Sequence, residues 1–206
     1  MLFTIKTQAR YNFAAEHLNA ASYFVTELKE IEKAASKDIF APIPFNYYWR
    51  SAIISAGCAI EAYIYDLLNG FVDGAYTAEN ADQKEQIAKM LERQRMFDKF
   101  EFIYLYKTGI KIEQGTEEYE NVKLLINLRN EIVHYKTHWL DDSANTERLA
   151  QKLRAKFKTN QFKCRELFFP DLCTSSSSAE WALNSAKEFI EWYARGLNGV
   201  NPVKHI

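Results

Sequence analysis

Apolar residues recur along this chain at intervals of three and four, punctuated by Pro, Gly and Ser, a spacing that predicts helices almost throughout. A first helix is expected over about 8–36, with Phe13, Leu18, Ala21, Phe24, Val25, Leu28 and Ile31 or Ala35 as its buried stripe. The segment "FAPIPF" (40–45) ends it, because each proline lacks a backbone donor and pushes its predecessor towards extended geometry. A second helix, over about 46–69, is the most apolar. Its small residues Ala52, Ser55, Ala56, Gly57 and Ala59 allow a neighbouring helix to approach closely, and Gly70 and Gly74 suit its exit. A third helical region is expected over about 78–107, in one or two pieces, ending at Gly109, and a fourth helix over about 117–140.

The segment "DDSANTERLAQKLRAKF" predicts a fifth, basic helix with Ser143 or Asn145 as its cap. "LFFPDLCTSSSS" reads as a loop with apolar anchors. The last helix opens at "SSAEW", where Ser177 with Glu180 fits a capping box, and continues through Ala182, Ala186, Phe189 and Tyr193 to Gly196 or Gly199. Trp181, Trp192 and Tyr193 read as core anchors of that helix, whereas Tyr47, Tyr48 and Trp49 are consecutive and cannot all face one core. Strand alternation is confined to residues 1–6 or the "IKI" at 110–112. The expected fold is therefore all-α, a single-domain up-and-down helical bundle of about five to six helices. The one domain spans 1–206, with a core over about 8–195 and the basic helix-loop segment 144–178 as an addition.

Composition agrees with this picture. The chain has 206 residues, long enough to bury a substantial core, with only 7 Gly and 4 Pro. A net charge of -1 excludes indiscriminate polyanion binding by the whole surface. Charge is nevertheless sorted along the chain. Arg148, Lys152, Arg154, Lys156, Lys158, Lys163 and Arg165 occur with no intervening Asp or Glu, shortly after the acidic "EQGTEEYE". Such a segment suits either a solvated helix face or phosphate binding, with Lys152, Arg154, Lys156 and Lys158 as the RNA-binding candidates. Cys58, Cys164 and Cys173 lack metal-finger spacing and suit neither a disulfide framework nor structural zinc. The segment "MLFTIKTQARYNF" lacks the apolar core and cleavage site of a signal peptide, and the uncharged stretch "SAIISAGCAI" is too short to span a bilayer. A soluble, cytoplasmic protein without membrane partners is expected.

The chemistry concentrates in the fourth helix, at "LRNEIVHYK" (128–136). At about 100° per residue, Asn127, Asn130, Glu131, His134 and His138 share one stripe, and Leu124, Leu125, Leu128, Ile132, Tyr135 and Trp139 lie opposite or beside it. Asn130 and His134 are helical neighbours. Arg129 falls about 140° from His134, at the far edge of the apolar stripe, so its guanidinium must reach around the helix or act across a partner chain. Glu61 interrupts the apolar second helix and needs a cation nearby, for which Arg129 is the candidate. Glu131, His134 and His138 share a face as helical metal ligands do, but their order is not the metalloprotease pattern, and no metal or other cofactor is expected.

"LRNEIVHYK" resembles the signature of the HEPN superfamily: Arg129, the polar Asn130, three variable residues and His134, late in a helical chain. "SAIISAGCAIEAYIYDLL", with Glu61 inside it, is similar to the second helix of such domains, and the similarity covers Tyr11 to about Trp192. The resemblance implies a helical homodimer whose two motifs line one cleft. In the RNase members the Arg and His cleave RNA without a metal, while other members are binding or interaction modules.

The residue chemistry is consistent with cleavage. RNA carries its own nucleophile, the 2′-hydroxyl. An imidazole titrating near ~6.5 suits His134 to accept that proton or to protonate the leaving 5′ oxygen. Arg129 offers a charged planar fork to the pentacoordinate phosphate, and Asn130 orients the imidazole or the phosphate. Glu61, Glu131 and His138 would support them. The expectation is a metal-independent endoribonuclease working by 2′-OH transesterification, of the defence or toxin type, with RNA as substrate and a cognate inhibitor protein as a further partner. A noncatalytic module that binds nucleotide, RNA or a protein partner is the alternative. A third reading is a dimerisation protein whose polar seam specifies pairing.

Overall fold

A computed structural model describes residues 12–35, 39–73, 81–134, 144–163 and 168–197. Seven α-helices follow one another: α1 Phe13–Ala34, α2 Ile43–Asp73, α3 Ala81–Glu92, α4 Met96–Thr108, α5 Glu117–Val133, α6 Ala144–Leu153 and α7 Ser176–Gly196. A short π-type turn, Phe168–Leu172, precedes α7. The protein is all-α, with eight helical elements in place of the five or six expected. The third region divides around Gln94 and Arg95, one of its two expected forms, giving α3 and α4, and the "FFPDL" loop coils into a turn of its own. Residues 110–112 form no strand; the one bridge described joins Phe40 to Lys163. The sequence reading at residues 1–6 lies outside the described residues.

The helix ends follow local chemistry. Thr116 caps α5 by accepting from the Tyr119 N–H, and three glutamates in its first turn face the positive end of the helix dipole. Gly109 ends α4 with a φ of 74°, a left-handed geometry that costs glycine little. Pro44 sits in the first turn of α2, where its missing N–H has no helical partner to lose, so that helix starts earlier than expected. It also runs past Gly70 to Asp73. The capping box of α7 is Ser175 with Ser178, not Ser177 with Glu180. Glu180 is instead drawn to Lys29 of α1, Ser177 accepts from the Lys158 N–H, and the Glu32 carboxylate accepts from the Ser176 N–H.

The core forms where α1, α2, α5 and α7 meet, with α1 against α2 the most extensive pairing. Ala14, Leu18, Ala21, Val25 and Leu28 bury one face of α1, while Phe13, expected in that stripe, is exposed. Ala52, Ala56 and Ala59 are fully buried on α2, as close helix packing requires. Of the three consecutive aromatics, Trp49 is buried, Tyr48 packs partly against the core and Tyr47 is exposed. Trp49 Nε1 donates to Ser178 Oγ at 2.8 Å, joining α2 to the start of α7. Tyr193 donates its hydroxyl to the Phe100 carbonyl at 2.8 Å, joining α7 to α4 amid a cluster of Tyr63, Phe100 and Phe189 rings. Each such buried bond contributes about 1 kcal/mol net and costs more if one partner is orphaned.

The length and composition of α2 suffice to cross a membrane between Ile43 and Gly70, although no ten-residue stretch of it suggested so. Half of that span is buried inside the protein, where it forms the central contact of the core. The thiols of Cys58, half-buried, and Cys173, buried, are both free, and Cys164 lies outside the described residues.

Candidate functional site

The last turn of α5 lies against the middle of α2. Leu124, Leu125 and Leu128 bury one side of α5, and Ile132 packs at the core margin. That orientation carries Arg129 towards α2. The approach is close because position 57 has no side chain: a Cβ there would stand 3.1 Å from Arg129 Cγ. Glycine at this one point lets the aliphatic stem of the arginine lie flat on α2.

From that groove the guanidinium reaches Glu61, one helical turn further along α2. Arg129 Nη2 donates to Glu61 Oε2 at 2.9 Å, with the arginine side chain 17% exposed and the glutamate 39% exposed. Arg129 Nη1 donates to Asn130 Oδ1 at 3.0 Å. Its Nε is buried with no acceptor. The cation and the carboxylate that sequence reasoning paired are thus in contact, and the carboxylate offsets the cost of holding a charge in a partly dry groove.

His134 is placed differently. The helix ends at Val133, and His134 is its C-cap, with φ −111° and ψ 25°. The expected continuation of this helix to residue 140 therefore fails at its last described residue; residues 135–140, His138 among them, lie outside the described residues. The imidazole is exposed, beside the equally exposed Val133. Having left helical geometry, His134 no longer obeys the angular offset computed for a continuous helix. Its backbone N–H still donates to the Asn130 carbonyl at 2.8 Å, the last bond of the helix.

Asn130 is accordingly the junction of the motif: its side chain holds Arg129 and its carbonyl holds the turn that carries His134. Glu131 and Asn127 flank it, the first half-buried and the second exposed. Arg129, Asn130 and Glu61 form one hydrogen-bonded group, and His134 joins it through the backbone. Among the described residues no set of three His, Cys, Asp or Glu side chains is placed to hold a metal.

The basic segment is split. Lys152 lies on α6, and Arg148, Lys152, Arg154 and Lys158 are exposed. Lys156 instead lines a cavity with Glu117, in the first turn of α5. Glu117 and Arg129 are separated by about 18 Å of helix rise, so Lys156 serves the opposite end of α5 from the motif. Lys163 lies over the Phe40 ring.

Two features escaped the sequence reading. Gly57 was legible only as a small residue, without its specific partner. A polar cavity between α5 and α7 was not foreseen, because Asn121 and Ser185 sit on stripes otherwise filled by core residues.

No family model, curated protein or solved structure matches this chain.

Proposed function

We propose that this chain is a metal-independent endoribonuclease of the HEPN kind, acting as a cytoplasmic homodimer in defence or growth control and restrained by a cognate inhibitor. The observation that supports it best is that Glu61 and Asn130 hold the Arg129 guanidinium at the end of the helix whose C-cap is the exposed His134. A guanidinium held in place before the phosphate arrives suits transition-state stabilisation.

In this reading His134 takes the proton of the 2′-hydroxyl, and the 2′ oxygen attacks the adjacent phosphorus. Arg129 donates to a non-bridging oxygen of the pentacoordinate phosphate, on which negative charge collects. The bond from phosphorus to the 5′ oxygen breaks, and that oxygen leaves protonated by the second copy's imidazole or by water. The products are a 2′,3′-cyclic phosphate and a 5′-hydroxyl. Glu61 holds Arg129 in place until phosphate competes for it. A second copy would pack on the outer face of α2, where Ile43, Tyr47 and Tyr65 are exposed on the same side as Glu61. The exposed Lys152, Arg154 and Lys158 would grip flanking RNA.

One observation favours a noncatalytic binding or dimerisation module: the guanidinium is already neutralised by Glu61, as a purely structural arginine would be. Incubating the full chain and its His134→Ala variant with RNA in EDTA separates the two. The enzyme reading expects cyclic-phosphate ends from the parent chain and none from the variant, with dimerisation and RNA binding retained. Intact RNA with the parent chain, bound as tightly as by the variant, overturns it.

A further inference from the structure

Among the described residues Lys99, on α4, is the one buried charged side chain, at 5% exposure. A lysine so far from water normally has a carboxylate beside it. Three acids of α2 and α4 are engaged elsewhere: Asp98 with Arg95, Glu101 with Tyr119 and Gln114, and Glu61 with Arg129. The Lys99 ammonium lies instead over the Tyr65 ring, 4.7 Å from its centroid. An aromatic face attracts a cation, and more strongly where water is excluded.

Tyr65 belongs to α2, and its register ties it to the motif. It follows Glu61 by four residues, so the two are neighbours on the helix surface, with Cβ atoms roughly 6 Å apart. Both reach solvent, the Glu61 side chain at 39% and Tyr65 at 50% exposure. Glu61 holds the Arg129 guanidinium, so one helical turn separates the anchor of the ring from that of the guanidinium. The ammonium takes one face of the ring, and half of the residue stays open.

An open aromatic surface beside two cations suits a single nucleic-acid strand. Phosphates seek the cations, and every base offers a flat π face to a ring. In a duplex the bases stack on one another, so only an unpaired base fits. A second copy of this chain suits the spot less well. A two-fold contact centred on Tyr65 would bring two Lys99 side chains together. Tyr47, on the same face of α2, lies roughly 27 Å back along the helix, so a second copy seated there leaves Tyr65 at the mouth of the cleft.

Resting on the RNA reading of the motif, we propose that Tyr65 is the stacking platform for an unpaired base next to the phosphate that Arg129 receives. Lys99 is a positioning residue. It braces the ring in one orientation, so less side-chain freedom is lost when a base settles on it. The substrate is thereby restricted to single-stranded RNA or to loops.

The test uses the full-length chain carrying His134→Ala, so that RNA survives, and a fluorescent oligoribonucleotide of mixed sequence, single-stranded or annealed to its complement. Single strands are expected to bind more tightly than the duplex. Adding Tyr65→Ala should weaken single-strand binding at least about fivefold, Tyr65→Phe should change it by less than about twofold, and Lys99→Met should fall between them. Duplex binding should move with none of the three. Binding is read apart from cleavage: if the chain with His134 intact leaves RNA uncut yet binds it through Tyr65, the catalytic role of His134 is lost and the platform is supported. Unchanged single-strand affinity in Tyr65→Ala, or an equal loss on the duplex, overturns the platform. So does a loss that appears with dissociation of the dimer, which would make Tyr65 a subunit contact.

Discussion

Nη2 of Arg129 on α5 lies 2.9 Å from Oε2 of Glu61 on α2, two residues 68 apart in sequence and joined in one half-buried pair. The pair unites an acidic interruption of the apolar α2 with the first member of the motif on α5. It also explains why a core helix tolerates an arginine at its inner edge. A guanidinium there would be costly alone and is acceptable when a carboxylate meets it.

Removing both members of this pair should therefore cost less than the two single losses added together. Glu61→Gln is expected to lower stability by about 1–2 kcal/mol, less than for a fully buried pair because Glu61 is partly exposed. Arg129→Gln should cost a similar amount, and the double variant less than the sum, leaving a coupling of about 1 kcal/mol. Urea denaturation of the four proteins measures it, and additive losses would show that the two side chains do not depend on each other.

Gly57 is expected to tune the position of Arg129 more than the stability of the fold. Alanine gains roughly 1 kcal/mol in helix propensity, but its Cβ would meet Arg129 Cγ at 3.1 Å and displace the stem by a few tenths of an ångström. The two effects oppose, so Gly57→Ala should stay within about 1 kcal/mol of the parent chain. If Arg129 stabilises a transition state, RNA cleavage under the same conditions should fall severalfold. Unchanged cleavage beside unchanged stability would remove Arg129 placement from the mechanism.

Partial burial, and then the nearby Glu117, Glu118 and Glu191, raise the Glu188 carboxyl above its ordinary value, which gives a pH signature of unusual sign. An acid whose value is higher folded than unfolded binds more protons in the native state, so its contribution is most favourable at low pH and is lost as pH rises through the folded value. Glu188→Gln should thus stabilise the protein at neutral pH by about 0.3–0.5 kcal/mol, the scale of exposed like-charge pairs. The advantage should shrink to nothing below the ordinary glutamate value near ~4.3. Thermal melts of the two proteins from pH 4 to 7 check this, and a pH-independent difference would contradict it.

Lys152 and Lys158 are exposed, and in the proposed reading they hold RNA phosphates away from the motif. Replacing both by Gln should weaken RNA binding and reduce the slope of log affinity against log salt by about 1.4, at about 0.7 per phosphate contact on single strands. Cleavage of saturating RNA should be unaffected. Binding measured between low and moderate salt decides the point, and an unchanged slope would place the RNA elsewhere.

Much of the fold was legible because helical periodicity and punctuation are local properties. The buried stripe of α1, the small-residue face of α2 and the stop at Gly109 follow from spacing and backbone preference, whereas spacing left the third region as one piece or two. Ends set by long-range partners were misplaced. Glu180 left the α7 cap for Lys29, and Ser175 took the role expected of Ser177. The site divides the same way. The motif residues were visible as a spacing, and Glu61 was named as the partner Arg129 needed. The end of α5 at His134 was not visible, since nothing in "EIVHYK" forbids another turn of helix.

From its sequence alone this protein is an all-helical chain with a polar triad late in one helix and Glu61 interrupting the apolar run of another, because apolar spacing dictates which faces must leave water. Only tertiary structure decided that Arg129 turns towards α2, that Gly57 makes room for it, and that Lys99 lies over the Tyr65 ring. Those outcomes depend on which helices become neighbours and at what distance, and that is set by packing between residues far apart in the chain.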